Sequence, residues 1–243
     1  MKLTVVGCSP AWPNPGGAQS GYMLEGPGRL LLDCGPGVLA RLRNQANGTG
    51  WPNVNAIAIT HFHLDHWGDL VPWVWGTMWG LGRGQKKPEL WLPPGGREEL
   101  AAFGKRFGTP DMFARVFEPH EYEEGVPFEA AGLEVTARRL PHYTVETYGF
   151  RISNSTRTLA YSGDCGPNDL LTELAADVDL FLCEATLERG ELDGEPRGHL
   201  SADEATEAFK ASGAKRLLLT HRPQELSLDG SLEQAYDGLE LEV

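Results

Sequence analysis

The chain has 243 residues, 41% of them hydrophobic and 23% charged, with a formal net charge of −13. That length and balance suit one globular domain over residues 1–243, and the acidic excess argues against broad nucleic-acid binding, which depends on neutralising phosphates with Lys and Arg. No apolar run reaches the length of a membrane span, and the start, MKLTVVGCSP, reads as a first strand rather than a signal peptide.

In chain order, KLTVVG predicts a strand, followed by the Gly/Pro-rich loop CSPAWPNPGGAQSG. GYMLEG and RLLLDCG predict a hairpin turning near Gly26–Gly28. PGVLARLRNQ reads as a short helix with Pro at its start. NAIAIT is a strand that runs into a histidine cluster, and LVPWVWGTMWG is apolar and partly helical. PELWLPP then predicts a strand and GREELAAFGKRF a helix.

The second half repeats the theme. GLEVTARRLPH, TYGFRIS and RTLAYSGD are strands, the last two joined by the turn NSTR. PNDLLTELAAD is a helix and VDLFLCEAT a strand. SADEATEAFKASG is a helix with a capping box, Ser201 capping and Glu204 reaching back, and Gly213 ends it. KRLLLTH is the last buried strand, and SLEQAYDGLEL predicts a closing helix. The reading is an α/β domain of two similar halves, each a sheet with helices outside. Cys8, Cys34, Cys165 and Cys183 show no CxxC spacing, so a reduced, cytoplasmic protein is expected.

The chemistry concentrates in THFHLDHWGD, which holds three of the seven histidines. Residues two apart on a strand end point the same way, so His61 and His63 can hold one ion. The chain then turns, and Asp65 and His66 can face a second. Imidazole and carboxylate together suit Zn²⁺, Mn²⁺ or Fe²⁺. His142, Asp164 and His221 each stand just after an apolar or alternating run, where a loop leaves a sheet edge.

THFHLDH, a lone His after a strand, SGD and LTH, in that order, resemble the metallo-β-lactamase-fold hydrolases over nearly the whole chain. The resemblance implies a four-layer αββα sandwich with a dinuclear site along one edge of the two sheets. It implies that His61, His63 and His142 bind the first ion, that Asp65, His66 and His221 bind the second, and that Asp164 bridges them. Zinc is the expected metal, with Mn or Fe as alternatives. Two such ions acidify a shared water and stabilise charge on the attacked group, and Asp65 is expected to orient that water as well as to ligate.

GHLSADEA, LCEAT, the N-terminal GCSP…SGYMLE and LLLDCGPGVL resemble the ribonuclease Z branch. In that branch the matching histidine assists phosphodiester cleavage, which gives His199 a catalytic role and makes Glu184 its orienting partner. The helix after His199 is expected to disfavour a proton on it. Arg222, just past a ligand, is a candidate contact for a phosphate oxygen. No clamp arm separates His142 from Asp164, and RPQEL follows His221, unlike the tRNA processors. The expectation is therefore a phosphodiesterase for small substrates such as cyclic nucleotides. The alternatives are a ribonuclease Z-type RNA 3′-end endonuclease, a lactone, ester or thioester hydrolase of the same fold, and a non-enzymatic binder. Trp67, Trp73, Trp75 and Trp79 crowd the stretch after the metal motif, and a homodimer contact or a pocket wall are both open readings. The loop AWPNPGG is read as an overhang of the site or a plain connection.

Overall fold

A computed structural model describes residues 1–46, 50–228 and 230–243. The first sheet holds β1 (Lys2–Gly7), β2 (Gly21–Glu25), β3 (Arg29–Leu32), β4 (Ala56–Ala58), β5 (Glu89–Leu92), β6 (Glu118–Glu121) and β13 (Glu240–Glu242), in the order β13-β1-β2-β3-β4-β5-β6. The second holds β7 (Phe128–Ala130), β8 (Leu133–His142), β9 (Val145–Ser153), β10 (Thr158–Tyr161), β11 (Leu180–Glu184) and β12 (Leu217–Thr220), in the order β12-β11-β10-β9-β8-β7. Each sheet begins as an antiparallel meander, β1-β2-β3 or β7-β8-β9-β10, and continues in parallel, β3-β4-β5-β6 or β10-β11-β12. The two halves are thus alike, tight turns giving way to helical crossovers.

Among the described residues seven α-helices serve these crossovers: α1 (Val38–Gln45), α2 (Leu64–Trp67), α3 (Leu70–Trp79), α4 (Gly96–Lys105), α5 (Met112–Val116), α6 (Asp169–Leu174) and α7 (Ala202–Ser212). Three apolar layers follow from strand alternation. In β11, Leu180 and Leu182 face the other sheet, where they join Leu24, Leu32 and Ala58, while Phe181 and Cys183 face α6 and α7. On the first sheet Met23, Leu31 and Ile57 face α1, α3, α4 and α5. The result is the four-layer αββα sandwich. Every parallel strand ends toward one edge, where loops carry the polar groups.

The structure corrects some element expectations. SLEQAYDGLEL is not a helix: Gln234 bridges Leu219 in parallel, the Asp237 carboxylate accepts from Cys8 and Ala18 N–H, and Gly238 turns at φ 94° into β13. Pairing with the open edges of β12 and β1 outweighs its weak helical pattern. Pro36 lies before α1 rather than within it, because Gly37, at φ 93°, is the N-cap. Strands β6 and β7 and helix α5 lacked a readable signal. β6 carries Pro119, which an edge strand tolerates, and β7 is only three residues long.

Candidate metal centre

The THFHLDH segment leaves β4 and turns at once into α2, whose N-cap is His63. The DCG segment after β3 braces it: Cys34 N–H donates to the His66 carbonyl at 2.6 Å, and Asp69 N–H to the Cys34 carbonyl at 3.0 Å. Gly35 is needed there, since a Cβ would collide with the Asp65 carbonyl. His142 ends β8, and Asp164 and His221 follow β10 and β12. His221 has a positive φ of 51°, a conformation that costs energy outside glycine.

The fold brings all seven of these side chains together. His61, His63, His142 and Asp164 form one group and Asp65, His66, Asp164 and His221 another, the ligand atoms within each lying within 4.8 Å of one another. Asp164 belongs to both: its Oδ2 lies 4.0 Å from His61 Nε2, 3.2 Å from His66 Nε2 and 3.6 Å from His221 Nε2. Asp65 Oδ2 lies 3.2 Å from His221 Nε2 and 3.5 Å from His66 Nε2. His63 Nδ1 and His142 Nε2 face each other at 3.0 Å.

Electrostatics follow from burial. Desolvation, then the neighbouring imidazoles, pushes His61 well down, and the same causes lower His63. Desolvation also lowers His142, although Asp164 and the Gly198 carbonyl oppose it. His66 goes the other way: desolvation is outweighed by Asp164 and Asp33. Burial would raise Asp65 and Asp164, but the surrounding histidines hold both carboxyls far below the usual range.

A second tier of buried groups fixes the ring orientations. Asp33, fully buried, accepts from Thr60 N–H at 2.8 Å, Tyr161 OH at 2.8 Å and His66 Nδ1 at 2.7 Å, so His66 turns Nε2 to the cluster. Thr186 Oγ1 lies 2.8 Å from both Glu184 Oε2 and His221 Nδ1. His142 Nδ1 donates to the Gly198 carbonyl at 2.6 Å. None of Asp33, Thr186 and Gly198 was assigned a role from the sequence. Asp33 had a signal, standing after the apolar RLLL as Asp164 and His221 stand after theirs.

Glu184 is fully buried and accepts from Cys165 N–H at 3.0 Å, Thr186 N–H at 3.1 Å and His199 Nδ1 at 2.9 Å. His199 lies beside the cluster, its ring 4.9 Å from that of His142 and 5.7 Å from that of His221. The field of the following helix disfavours a proton on His199, and burial lowers it too, but in the metal-free protein Glu184 at hydrogen-bonding distance raises it to about 9. The Coulomb attraction of a buried carboxylate exceeds the field of a helix terminus.

Arg222 departs from its expected role. Its Nη1 donates to the Ala185 and Leu187 carbonyls and its Nη2 to that of Ser227, and the residue is buried. The guanidinium is committed to main chain and is not presented to a phosphate. The AWPNPGG loop is tied to the same segment: Asn14 Oδ1 accepts from Gln224 N–H at 3.0 Å and Asn14 Nδ2 donates to the Arg222 carbonyl at 3.1 Å. Of the tryptophans, Trp67 and Trp73 are core, while Trp75, half-buried against that core, stacks at 5.1 Å on the exposed Trp79.

Comparison with known proteins agrees with this architecture. Residues 28–222 match the beta-lactamase superfamily domain, and the chain belongs to that family. It is a metallo-hydrolase of the β-lactamase fold. It is 34% identical to the uncharacterized protein Rv1339 of Mycobacterium tuberculosis (strain ATCC 25618 / H37Rv), over 98% of this chain and 88% of that one. It is 30% identical to a ribonuclease Z of Mycobacterium sp. (strain KMS), over 91% of this chain and 84% of the relative. The crystal structure of the metallo-beta-lactamase fold protein YhfI from Bacillus subtilis superposes with a TM-score of 0.82 at 24% identity, covering 99% of both chains.

Proposed function

We propose that this chain is a dinuclear metal-dependent phosphodiesterase acting on small phosphodiesters such as cyclic nucleotides. The observation that carries the reading is the His199–Glu184 pair, an imidazole whose Nδ1 lies 2.9 Å from a buried carboxylate and whose ring is held beside the seven-residue cluster. A positioned Nε2–H donor there suits the doubly charged transition state of phosphodiester cleavage more than the singly charged oxyanion of acyl transfer.

The cluster fits metal ions on its own chemistry. His61 Nε2, His66 Nε2 and Asp164 Oδ1 are buried without a hydrogen-bond partner, an arrangement that is costly unless something else satisfies them. His63 and His142 present ring nitrogens to each other with both basicities lowered. His61, His63, His142 and Asp164 would hold one ion, and Asp65, His66, His221 and Asp164 the other. An imidazole-rich set favours zinc, with manganese or iron compatible. Such ions supply Lewis acidity toward phosphoryl oxygen and a water acidified toward neutral pH.

The chain's own residues supply the rest. Glu184 binds His199 Nδ1 and so leaves Nε2 as the nitrogen that meets substrate. The Nε2 proton neutralises charge growing on a phosphoryl oxygen or passes to the leaving alkoxide. Asp65, beside His221 and His66, orients the attacking water. A net charge of −13 and the short β8-β9-β10 connection between His142 and Asp164 support a small substrate over a folded RNA. Ligands come from strands of both halves, which supports residues 1–243 acting as one catalytic unit. All four cysteines are free, which supports a cytoplasmic setting. Among the described residues no helix is long and apolar enough to cross a membrane.

The test is hydrolysis of bis(p-nitrophenyl) phosphate by protein loaded with Zn²⁺ or Mn²⁺. Turnover should depend on metal and vanish in Asp164→Ala. His199→Ala should lower kcat by roughly 10²-fold or more. No turnover with both sites filled would sink the phosphodiesterase reading and direct attention to lactones and thioesters.

A further inference from the structure

Tyr143 takes no part in the cluster, yet the fold goes to some length to hold its ring. It follows His142 with a positive φ of 49°, a conformation a bulky residue adopts only when its surroundings enforce it. Its N–H donates to the Arg197 carbonyl at 3.2 Å, and its hydroxyl to Asp193 Oδ1 at 2.9 Å. Asp193 Oδ2 in turn accepts from Gly198 and His199 N–H at 2.8 and 3.0 Å. The ring lies against Gly198: a Cβ there would collide with its Cδ2, Cε2 and Cζ atoms together. One side of the ring is therefore seated, while the residue stays 39% exposed. Its centroid is 4.9 Å from the His142 ring and 5.6 Å from the His199 ring. Pro141, His142, Tyr143, Val145 and Leu170, with Arg139, line a groove of about 490 Å³ alongside, a volume suited to a nucleoside-sized group.

We infer that Tyr143 is a substrate-contacting specificity residue, its immobilised ring being the stacking platform for the nucleobase of a nucleotide phosphodiester cleaved at the adjoining cluster. The inference rests on the phosphodiesterase reading and narrows its substrate class. A ring pinned at both ends loses little entropy on binding, and stacking accepts any base because every base has a π-face.

The probe is the slowly hydrolysed phosphorothioate of 2-aminopurine riboside 3′,5′-cyclic phosphate, whose fluorescence is quenched on stacking, added to zinc-loaded protein. Wild type and Tyr143→Phe should quench it; Tyr143→Leu should not, while Tyr143→Trp restores the effect. With the hydrolysable cyclic nucleotide, KM should be roughly tenfold higher in Tyr143→Leu than in Tyr143→Phe. Absence of quenching in wild type, or equal quenching in Tyr143→Leu, overturns the platform. If bis(p-nitrophenyl) phosphate is still hydrolysed in that case, the platform alone has failed. Quenching without any phosphodiester turnover would instead support the platform and remove the hydrolytic reading.

Discussion

Thr186 shows how one hydroxyl can decide a ligand's tautomer. Its single proton goes to an acceptor, either the Glu184 carboxylate at 2.8 Å or the His221 carbonyl at 2.9 Å. Toward His221 Nδ1 it can then accept, so with an ion bound the ring proton would sit on Nδ1 and leave the Nε2 lone pair to the metal. Thr186→Val keeps the shape and removes the acceptor. Zinc affinity at the His221 side should fall 10- to 100-fold by competitive chelation, with Thr186→Ser restoring it. The neighbouring His199–Glu184 pair carries a pH signature. The folded value of about 9 lies above the ordinary 6.5, so the pair's stabilisation is complete below about pH 6.5 and is lost as pH rises through about 9. Metal-free protein should lose on the order of 2–3 kcal/mol from this source between those limits. Glu184→Gln should flatten that part of the melting-temperature profile; an unchanged slope would contradict the pairing.

Among the elements, α7 matters most because it follows His199 directly. Its capping box is complete: Ser201 Oγ accepts from Glu204 N–H, and the Glu204 carboxylate accepts from Ser201 N–H at 2.9 Å while also binding Arg197. Ser201→Ala should cost about 1 kcal/mol, a fall of roughly 2–4 °C in Tm for a chain of this size. Because Arg197 also donates to the His199 carbonyl, loosening the cap should lower kcat as well, read in the same preparation. This box was legible in the sequence because capping is local, and so were the hairpins and the strand ends that carry the seven candidate ligands, which apolar or alternating runs mark. What escaped depends on contacts distant in sequence. Asp237 reaches Cys8 across 229 positions, which makes the last segment extended rather than helical. Arg222 looked available beside a ligand, but carbonyls of two separate loops take its guanidinium. Tyr143 gave no signal, since its role comes from Asp193 and Gly198 fifty or more residues on.

At the scale of the whole molecule, the four tryptophans after the metal motif divide by environment. Trp73 packs edge-on to Trp51 at 6.0 Å and Trp67 to Phe103 at 5.0 Å, filling the layer between the first sheet and its helices. Trp75, half-buried against that layer, stacks on the exposed Trp79, and Phe107 meets Trp75 at 6.3 Å. Trp79, Leu81 and Phe107 are 68%, 57% and 53% exposed. Clustered exposed aromatics on a chain of net charge −13 are poorly explained by solvent alone, since such patches mark interaction surfaces. We propose that a second copy of the chain covers this one, in a two-fold contact where each patch meets itself. Self-association of so acidic a chain must overcome like-charge repulsion, so burial of apolar area has to dominate, and about 800 Å² per partner is the ordinary requirement. Light scattering should therefore give about twice 26.6 kDa for wild type and 26.6 kDa for Trp75→Ala/Trp79→Ala. Added salt should tighten the dimer by screening the repulsion. An unchanged mass in the double variant, or dissociation on adding salt, would rule out this face as the contact.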